Sequence, residues 1–345
     1  MVPSPPMRAL VCERAGEVAL REVPEPTPAD GEVIVRVAAA LTCGTDLKMI
    51  RRGHPKIPFP VILGHEFSGV VSRVGPGAPF QPGDRVASAV SGPCGGCPDC
   101  ESGRENLCPT AFDRPAWGAF ADLVRVPERV VARGLKLIPA SLSFAAAALL
   151  DPLACVVRGL SRIALTPASN LLIYGSGPIA LLFTLMARHA GAARIFVAGR
   201  RPGRLACFRA AGAETIDVSQ TSVRAALLEA TAARGPDVII DTTGDAGIAA
   251  DVIELVARGG VVLLFAGGPR ASRLSVDTAR IHYDEVSLIG SFHYTPSDAR
   301  QALDLLVAGT VPVDALVTAE RPLEEFADVF ESLKRGEGMK TAFVP

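Results

Sequence analysis

The sequence has little of what marks a membrane, secreted or nucleic-acid-binding protein. Across its 345 residues there is no uncharged apolar run of about 18 residues, so no membrane span is predicted. The formal net charge is −1, which gives no field to attract nucleic acid or acidic lipid. The start, MVPSPPMRAL, lacks the apolar core of a secretion signal. We therefore expect a cytoplasmic protein, and its length favours two domains.

Residues 1–150 have the pattern of an all-β domain. They are rich in Val, Pro and Gly, and they contain short apolar runs such as GEVIVRVAAA (31–40) and FSGVVSRVG (67–75). Turn residues followed by apolar residues in QPGDRVAS (81–88) and VRVPERVV (124–131) predict further strands.

Residues 151–309 have a different pattern, in which apolar strands alternate with helical segments. The run NLLIYGSGPIALLFTLMARHAGAARIFVAG (170–199) predicts a strand, a glycine turn, a helix and a second strand. Further strands are predicted in DVIIDTTG (237–244), GVVLLFAGG (260–268) and VSLIGSF (286–292). This alternation predicts a doubly wound parallel sheet. Within residues 310–345, PVDALVT and MKTAFVP predict strands that return to the first domain.

Four of the eight cysteines are crowded into one segment, SGPCGGCPDCESGRENLC (91–108). They have the spacing C-x2-C-x2-C-x7-C, at Cys94, Cys97, Cys100 and Cys108. In a chain without a secretion signal, such a cluster binds metal more often than it forms disulfides. Four thiolates complete a tetrahedral zinc site and leave no open position, so this site would be structural. The alternatives are an iron–sulfur cluster, whose ligand spacing overlaps, and unrelated free cysteines.

A glycine-rich motif lies near the start of the predicted α/β domain. YGSGPIA (174–180) contains Gly175, Gly177 and Ala180 in the pattern G-x-G-x-x-A. The first glycine permits a tight turn, the second lets the backbone approach a pyrophosphate, and the alanine lets the helix pack on the strand. Pro178 suits the first helical turn, whose free N–H groups favour phosphate. Because the motif follows a strand and opens a helix, it predicts a dinucleotide site, against the alternative of a glycine turn without a ligand.

A second set of metal-binding residue types lies before the cysteine cluster. TCGTD (42–46) contains Cys43, and LGHEFSG (63–69) contains His65 and Glu66. A lone cysteine or histidine is more often a packed core residue. Together, however, a thiolate and an imidazole are ligands that a catalytic zinc uses with a third protein ligand and an open fourth position. Zinc in such a site can polarise an alcohol or carbonyl oxygen, which beside a nicotinamide indicates an alcohol dehydrogenase.

With these motifs the chain resembles the zinc-dependent branch of the medium-chain dehydrogenase/reductase superfamily, nearest to polyol and threonine dehydrogenases. The resemblance covers almost the whole chain. It rests on CGTD, GHEFSG, the four-cysteine cluster, YGSGPIA and the ending RPLEEFADVFESLKRGEGMK (321–340). It implies a GroES-like β catalytic domain, a Rossmann domain and an active site between them. It also implies a catalytic zinc, an alcohol or ketone substrate and a homo-oligomer, either a dimer or a tetramer. With the structural zinc of the cysteine cluster, we expect two zinc ions per chain.

The resemblance assigns the ligands of the catalytic zinc by position. Cys43 and His65 would bind the ion, and Glu66 would either bind it or exchange with water. Asp151, in LLDPLAC, stands where relatives have a glutamate. Because Asp is one methylene shorter, the third ligand is either Glu66 or Asp151. Asp46 would not bind the ion itself but would orient the imidazole of His65.

The resemblance also assigns residues to proton transfer and to the substrate. Thr45 stands where relatives place the hydroxyl that relays the proton of the alcohol. Lys48 stands where many relatives have the histidine that ends this relay, so proton exit would differ in this chain. The family layout suggests His54, Phe112 and His293 as substrate-cleft residues, with ordinary packing or surface roles as the alternative. Secondary alcohols of polyol or sugar-like type are the expected substrates.

The cofactor preference follows from the residues after the second strand of the α/β domain. In NAD enzymes an acidic residue about 20 residues beyond the glycine motif binds the ribose, whereas an arginine nearby accommodates the 2′-phosphate of NADP. Gly199 occupies that acidic position, and no Asp or Glu occurs from Pro152 to Ala213. The arginines that follow are Arg200, Arg201 and Arg204. The sequence therefore predicts NADP and not NAD, against the alternative of a solvated arginine cluster. The other residues expected to contact the cofactor are Ile179, Phe265, Ala266, Gly267, Ser291 and Phe292.

The predicted function is hydride transfer between a secondary alcohol and NADP. One alternative is a zinc-free quinone or enone reductase of the same superfamily, but that branch lacks the ligands Cys43, His65 and Glu66. A second is a non-catalytic zinc-binding or nucleic-acid-binding module, which only the cysteine cluster suggests. The absence of a basic, aromatic strip counts against this second alternative.

Overall fold

The chain folds into two units. The computed structural model describes residues 5–53, 57–269 and 271–345. One unit comprises residues 1–154 and 294–345, and the other comprises residues 155–293. The sequence places the return to the first unit at residue 310, but the structure assigns the chain from Tyr294 onward to that unit. The earlier return has a physical reason, because the helix Pro296–Val307 packs against the helix Phe144–Ala147.

Most of the described residues lie in short strands and helices. The strands are β1 (Pro6–Arg14), β2 (Glu17–Pro24), β3 (Val33–Leu41), β4 (Val61–Ile62), β5 (Glu66–Val74), β6 (Arg85–Ser88), β7 (Leu123–Val126), β8 (Leu135–Leu137), β9 (Asn170–Tyr174), β10 (Arg194–Gly199), β11 (Glu214–Asp217), β12 (Val238–Asp241), β13 (Val261–Leu264), β14 (Ser287–Gly290), β15 (Val317–Arg321) and β16 (Lys340–Phe343). The helices are α1 (Gly44–Arg52), α2 (Pro98–Glu101), α3 (Glu128–Arg133), α4 (Phe144–Ala147), α5 (Leu150–Ser161), α6 (Pro178–His189), α7 (Pro202–Ala210), α8 (Val223–Ala230), α9 (Ala246–Leu255), α10 (Thr278–His282), α11 (Pro296–Val307), α12 (Val313–Leu316) and α13 (Phe326–Arg335). Among the described residues, no helix has both the length and the apolar character needed to cross a membrane.

The first unit contains two sheets. One consists of β2, β1 and β4 in that order, and the other has the order β15-β16-β3-β5-β6-β8, with β7 also pairing with β3. Because β16 pairs antiparallel with β3, the end of the chain lies in this unit. Its core is built around fully buried aromatic side chains, among them Phe67, Phe120 and Phe343.

Two predicted strands of the first unit are only partly correct. In PVDALVT (312–318), residues Val313–Leu316 form helix α12 and strand β15 begins at Val317. In VRVPERVV, strand β7 ends at Val126 and the remainder is helix α3. Pro127 takes the N-cap position with an extended backbone, and Glu128 lies in the first turn. An acidic side chain at the first turn is favourable for a helix. The two valines that suggested a strand, Val130 and Val131, pack the buried face of this helix.

The second unit is the predicted α/β domain. Its six strands form a sheet of order β11-β10-β9-β12-β13-β14 in which all pairs are parallel. Helices connect successive strands, so the unit is doubly wound, as the sequence predicts. In the central strand β9, Leu171, Leu172 and Ile173 are fully buried. Because parallel strands end at one edge, the glycine turn after β9 and the arginines after β10 lie along the same edge.

Candidate active site

Strand pairing brings together Cys43, His65 and Glu66. In the antiparallel pair β3–β5, Leu41 lies opposite Glu66, so the residues after β3 meet those at the start of β5. One ligand atom from each of the three residues lies within 4.8 Å of the other two. His65 and Glu66 are buried and Cys43 is half-buried. A thiolate, an imidazole and a carboxylate that converge in this way fit a zinc ion with a fourth position left for substrate.

Asp46 connects Cys43 with His65. Its Oδ2 accepts a hydrogen bond of 2.7 Å from the backbone N–H of Cys43, at the start of α1. Its Oδ1 lies 3.6 Å from Nδ1 of His65, and both of these atoms are buried. This arrangement leaves Nε2 of His65 for a metal. Burial lowers the pKa of His65, but the side chains of Asp46 and Cys43 outweigh burial and raise it well above its usual value.

Thr45 and Lys48 both lie on α1, directly after Cys43. They are three residues apart, so they share one face of the helix. Thr45 is half-buried and Lys48 is exposed. This face of α1 therefore leads from the vicinity of Cys43 toward solvent.

Glu66 has a partner to which the sequence analysis gave no role. Nζ of Lys340 forms an ion pair of 2.5 Å with Oε2 of Glu66 and donates a hydrogen bond of 3.0 Å to the carbonyl of Thr42. Both charged side chains are only 2% exposed. Burial raises the pKa of Glu66, and the charge of Lys340 opposes that effect. An ion at this site would therefore compete with Lys340 for Glu66.

Trp117, the single tryptophan of the chain, stacks on His65. The ring centroids are 4.5 Å apart and the ring planes are inclined by 13°. The stacked indole limits rotation of the imidazole ring, and Asp46 lies near its Nδ1. A tryptophan so distant in sequence from His65 carries no spacing signal, and the sequence analysis missed it.

Asp151 lies near this site, but it is not one of the three residues whose ligand atoms converge. Its Oδ1 accepts hydrogen bonds from the hydroxyl of Tyr294 and, at 3.1 Å, from the backbone N–H of Val90. The charge of Asp151 contributes to raising the pKa of Glu66, after burial, which is the largest cause. The choice between Glu66 and Asp151 as third ligand stays a prediction.

The structure also brings together the four cysteines of the cluster, whose sulfurs lie within 4.8 Å of one another. Sγ of Cys100 is 3.5 Å from that of Cys97 and 4.0 Å from that of Cys94. The backbone N–H of Cys94 lies 3.4 Å from Sγ of Cys108. Burial raises the pKa of the Cys100 thiol to about 12. Burial also acts on Cys108, but hydrogen bonds from Cys94 and Thr110 prevail and lower its pKa to about 6. Four sulfurs in this arrangement fit a closed zinc site.

The glycine turn of the second unit is compatible with a bound dinucleotide. Gly175 has φ +117°, and a Cβ there would lie 2.2 Å from Oγ1 of Thr242. That threonine, which the sequence analysis missed, donates a hydrogen bond of 2.8 Å to the carbonyl of Tyr174. A Cβ on Gly177 would meet nothing within 4 Å, so there is open space at the start of α6. Pro178 and Ile179 form the first turn of that helix.

Gly199 is the last residue of β10, and the arginine cluster follows it. A Cβ on Gly199 would lie 2.6 Å from Oγ of Ser176, so the glycine turn excludes a side chain there. Arg200 is exposed, and Arg201 is the N-cap residue of α7. Burial lowers the pKa of Arg204, and the neighbouring positive charge of Arg201 adds to that effect.

The other expected cofactor residues follow the ends of β13 and β14, at the same edge of the sheet. Phe265 packs edge-on against Phe183 of α6, with ring centroids 4.9 Å apart. Ala266 and Gly267 come next in the chain, and after β14 come Ser291 and Phe292. Phe292 is 59% exposed.

Of the three residues suggested for the substrate cleft, the structure describes Phe112 and His293. Phe112 packs against the cluster that contains Cys100 and Cys108. His293 is the last residue of the second unit and has φ 54°. His54 lies outside the described residues.

Comparison with known proteins identifies relatives along almost the whole chain. An alcohol dehydrogenase GroES-like domain matches residues 29–137, and a zinc-binding dehydrogenase domain matches residues 178–308. A sorbitol dehydrogenase of Bacillus subtilis is 32% identical over 333 residues, which cover 94% of this chain and 93% of the relative. D-altritol 5-dehydrogenase of Agrobacterium fabrum is 33% identical over 331 residues, which cover 94% and 95%. A zinc-binding dehydrogenase of Sinorhizobium meliloti 1021, solved with NADP bound, has a TM-score of 0.91 at 30% identity and covers 99% of this chain and 100% of its own.

Proposed function

This chain belongs to the zinc-dependent medium-chain dehydrogenase/reductase superfamily, and from that premise we propose the reaction it catalyses. It is an alcohol dehydrogenase, with polyol dehydrogenases among its relatives. The proposed reaction is hydride transfer between a secondary alcohol of polyol or sugar-like type and NADP, assisted by zinc. The observation that carries the proposal is the convergence of half-buried Cys43 with buried His65 and Glu66. A zinc-free quinone or enone reductase would have no use for this set of ligands.

The ligands proposed for the catalytic zinc are Sγ of Cys43, Nε2 of His65 and a carboxylate from Glu66 or Asp151. When bound, zinc polarises the substrate oxygen and lowers the pKa of an alcohol. Asp46 and Trp117 would keep the imidazole of His65 in a fixed orientation. The four-cysteine cluster would hold a second, structural zinc with no place for substrate.

Thr45 is proposed to relay the proton of the alcohol, because its hydroxyl can accept that proton while it gives its own proton to solvent. Its place in the first turn of α1, two residues after Cys43, supports this role. Lys48 lies one turn further along the same face and is exposed, so the proton would reach solvent near an ammonium group at the position where many relatives have a histidine.

NADP is the proposed cofactor for two reasons. A carboxylate that would bind the ribose of NAD has no room at Gly199, because Ser176 occupies that space. A guanidinium from Arg200, Arg201 or Arg204 can hold a 2′-phosphate through two charge-assisted hydrogen bonds. The NADP bound by the relative from S. meliloti agrees with this proposal.

The test is steady-state kinetics on a panel of secondary alcohols and polyols with each nicotinamide cofactor. We expect turnover with at least one polyol and a ratio of kcat/KM for NADP to that for NAD well above one. A ratio below one would refute the cofactor assignment. Reduction of quinones or enones without any alcohol oxidation would favour the zinc-free alternative.

We also propose that the working protein is a homo-oligomer in the cytoplasm. β14 is the edge strand of the six-stranded sheet, and Leu288 on it is 37% exposed. An exposed apolar edge strand invites pairing with another chain. Light scattering should show a dimer or a tetramer at working concentration, and a monomer would contradict the proposal.

A further inference from the structure

Three buried groups, the side chains of Tyr294 and Asp151 and the backbone N–H of Val90, form a hydrogen-bonded triad in the first unit. Oδ1 of Asp151 accepts a hydrogen bond from the Tyr294 hydroxyl and one of 3.1 Å from the Val90 N–H. The same N–H lies 3.0 Å from the hydroxyl oxygen of Tyr294. Tyr294, Val90 and Asp151 are 3%, 5% and 6% exposed. The reaction proposed above gives Tyr294 no role.

The direction of the Tyr294 hydrogen bond follows from counting protons. A tyrosine hydroxyl has one proton to donate, and its oxygen can also accept. Because the N–H of Val90 approaches that oxygen, the hydroxyl proton points to Asp151. A hydrogen bond to a charged carboxylate is roughly twice as strong as one between neutral groups. The triad therefore fixes the orientation of the Asp151 carboxylate.

Strand register places this triad beside the candidate zinc ligands. In the antiparallel pair β5–β6, Phe67 lies opposite Ser88. Val90 follows Ser88 by two residues and His65 precedes Phe67 by two, so both lie just beyond the same end of this pair. The raised pKa of Glu66, to which the charge of Asp151 contributes, agrees with two neighbouring carboxylates. Both hydrogen bonds that the described residues donate to Asp151 go to Oδ1, which makes Oδ2 the oxygen that faces an ion in this proposal.

Charge balance favours Asp151 over Glu66 as the metal ligand. Lys340 already neutralises Glu66 through a buried ion pair. A divalent ion bound by the Cys43 thiolate and by neutral His65 keeps one positive charge, and a second anionic ligand would cancel it. Asp151 can supply that anion, but its side chain is short and needs to be held in place.

We propose that Tyr294 is a positioning residue that holds Asp151 with Oδ2 turned to the catalytic zinc. This inference rests on the proposed function, because it requires zinc at Cys43 and His65. Replacing Tyr294 by phenylalanine keeps the ring and removes only the hydroxyl. Loss of a hydrogen-bonding partner behind a metal ligand typically weakens metal binding by about 10-fold to 100-fold.

The experiment is a zinc competition titration with a chromophoric chelator, using the full-length chain. The ion whose binding disappears in Cys43→Ser is assigned to the catalytic site. For that ion we expect Tyr294→Phe to raise the Kd about 10-fold and Asp151→Asn to raise it at least as much. In the double variant the Kd should equal that of Asp151→Asn, because Tyr294 acts through Asp151. The matched control is Tyr283→Phe, which changes a tyrosine that is 73% exposed and should leave the Kd unchanged.

Three outcomes would overturn the inference. The first is a Kd for Tyr294→Phe within about twofold of that of the unmodified protein. The second is an unchanged Kd for Asp151→Asn. The third is an equal effect of Tyr294→Phe on the Kd with and without Asp151→Asn. If Cys43→Ser removes no zinc at all, the proposed function fails instead. The melting temperature of each variant as purified checks that it folds, and the Asp151→Asn titration tests the ligand independently of Tyr294→Phe.

Discussion

The two candidate metal sites of the first unit are built in opposite ways. The cysteine cluster uses four identical donors from one short segment, residues 94–108, with a backbone N–H approaching Cys108. The other site uses three different donors from two strand ends and is surrounded by charged or aromatic partners, among them Asp46, Trp117 and Lys340. A closed set of like ligands serves folding, whereas a mixed set with tuned partners leaves a coordination position and a proton path for chemistry.

The site with mixed ligands, formed by Cys43, His65 and Glu66, is called the mixed site. Substitutions there are predicted to have the largest effect on activity. Cys43→Ser removes a ligand that the reaction requires, so kcat/KM should fall by about 10³-fold or more, as expected when Lewis-acid stabilisation worth several kcal/mol is lost. His65→Ala should act similarly. Activity assays together with thermal melting check this, and the melting temperature should change little. Near-normal turnover of Cys43→Ser would show that the active site is elsewhere.

The matching change in the cysteine cluster should act on stability. Cys97→Ser removes one of four structural ligands, and we expect the free energy of unfolding to fall by about 3 kcal/mol or more, since metal binding contributes directly to folding. Molecules that remain folded should keep turnover within a few-fold of the unmodified protein. Urea unfolding followed by circular dichroism measures the stability. A loss of turnover without a loss of stability would reverse the roles of the two sites.

A smaller effect is expected in the second unit. Arg200→Ala combined with Arg201→Ala should lower kcat/KM for NADP by about 10-fold to 100-fold, the equivalent of one charge-assisted hydrogen bond. The value for NAD should hardly change, because NAD has no 2′-phosphate. Kinetics with both cofactors measure the ratio. Equal losses for NADP and NAD would indicate that these arginines do not recognise the phosphate.

The smallest predicted signal comes from Trp117, which can report on the mixed site alone. Because it is the only tryptophan and stacks on His65, its fluorescence should change when metal is removed or restored. Stacking of this kind contributes about 0.5–1.5 kcal/mol, so Trp117→Leu should weaken zinc binding by no more than about tenfold. The emission change should disappear in Cys43→Ser and persist in Cys97→Ser. The opposite pattern would mean that Trp117 responds to the cluster.

The features that could be predicted from sequence are those whose signals are local. The cysteine spacing, the glycine turn and the alternation of strands and helices lie in short segments, and the structure contains a fitting arrangement for each. The partners of the mixed site could not be predicted, because Lys340 and Glu66 are 274 residues apart in sequence and Tyr294 and Asp151 are 143 apart. Such contacts depend on strand register and on the return of the chain to the first unit, which short sequence segments do not reveal.

Two local predictions also needed the structure. The valines of VRVPERVV fit a strand as well as a helix, and in the structure Val130 and Val131 lie on the buried face of helix α3. The return of the chain was expected at residue 310, because the sequence of helix α11 does not reveal the surface it packs on. The structure shows that this surface is α4 of the first unit.

Metal analysis of the purified protein tests the central claim. The claim is that one chain holds two zinc sites, a closed structural site in the cysteine cluster and an open catalytic site at Cys43 and His65. The account predicts close to two zinc ions per chain, about one in Cys43→Ser with the fold retained, and a loss of stability when the cluster is changed by Cys97→Ser. Iron in place of zinc, or a single zinc that Cys43→Ser leaves in place, would contradict it.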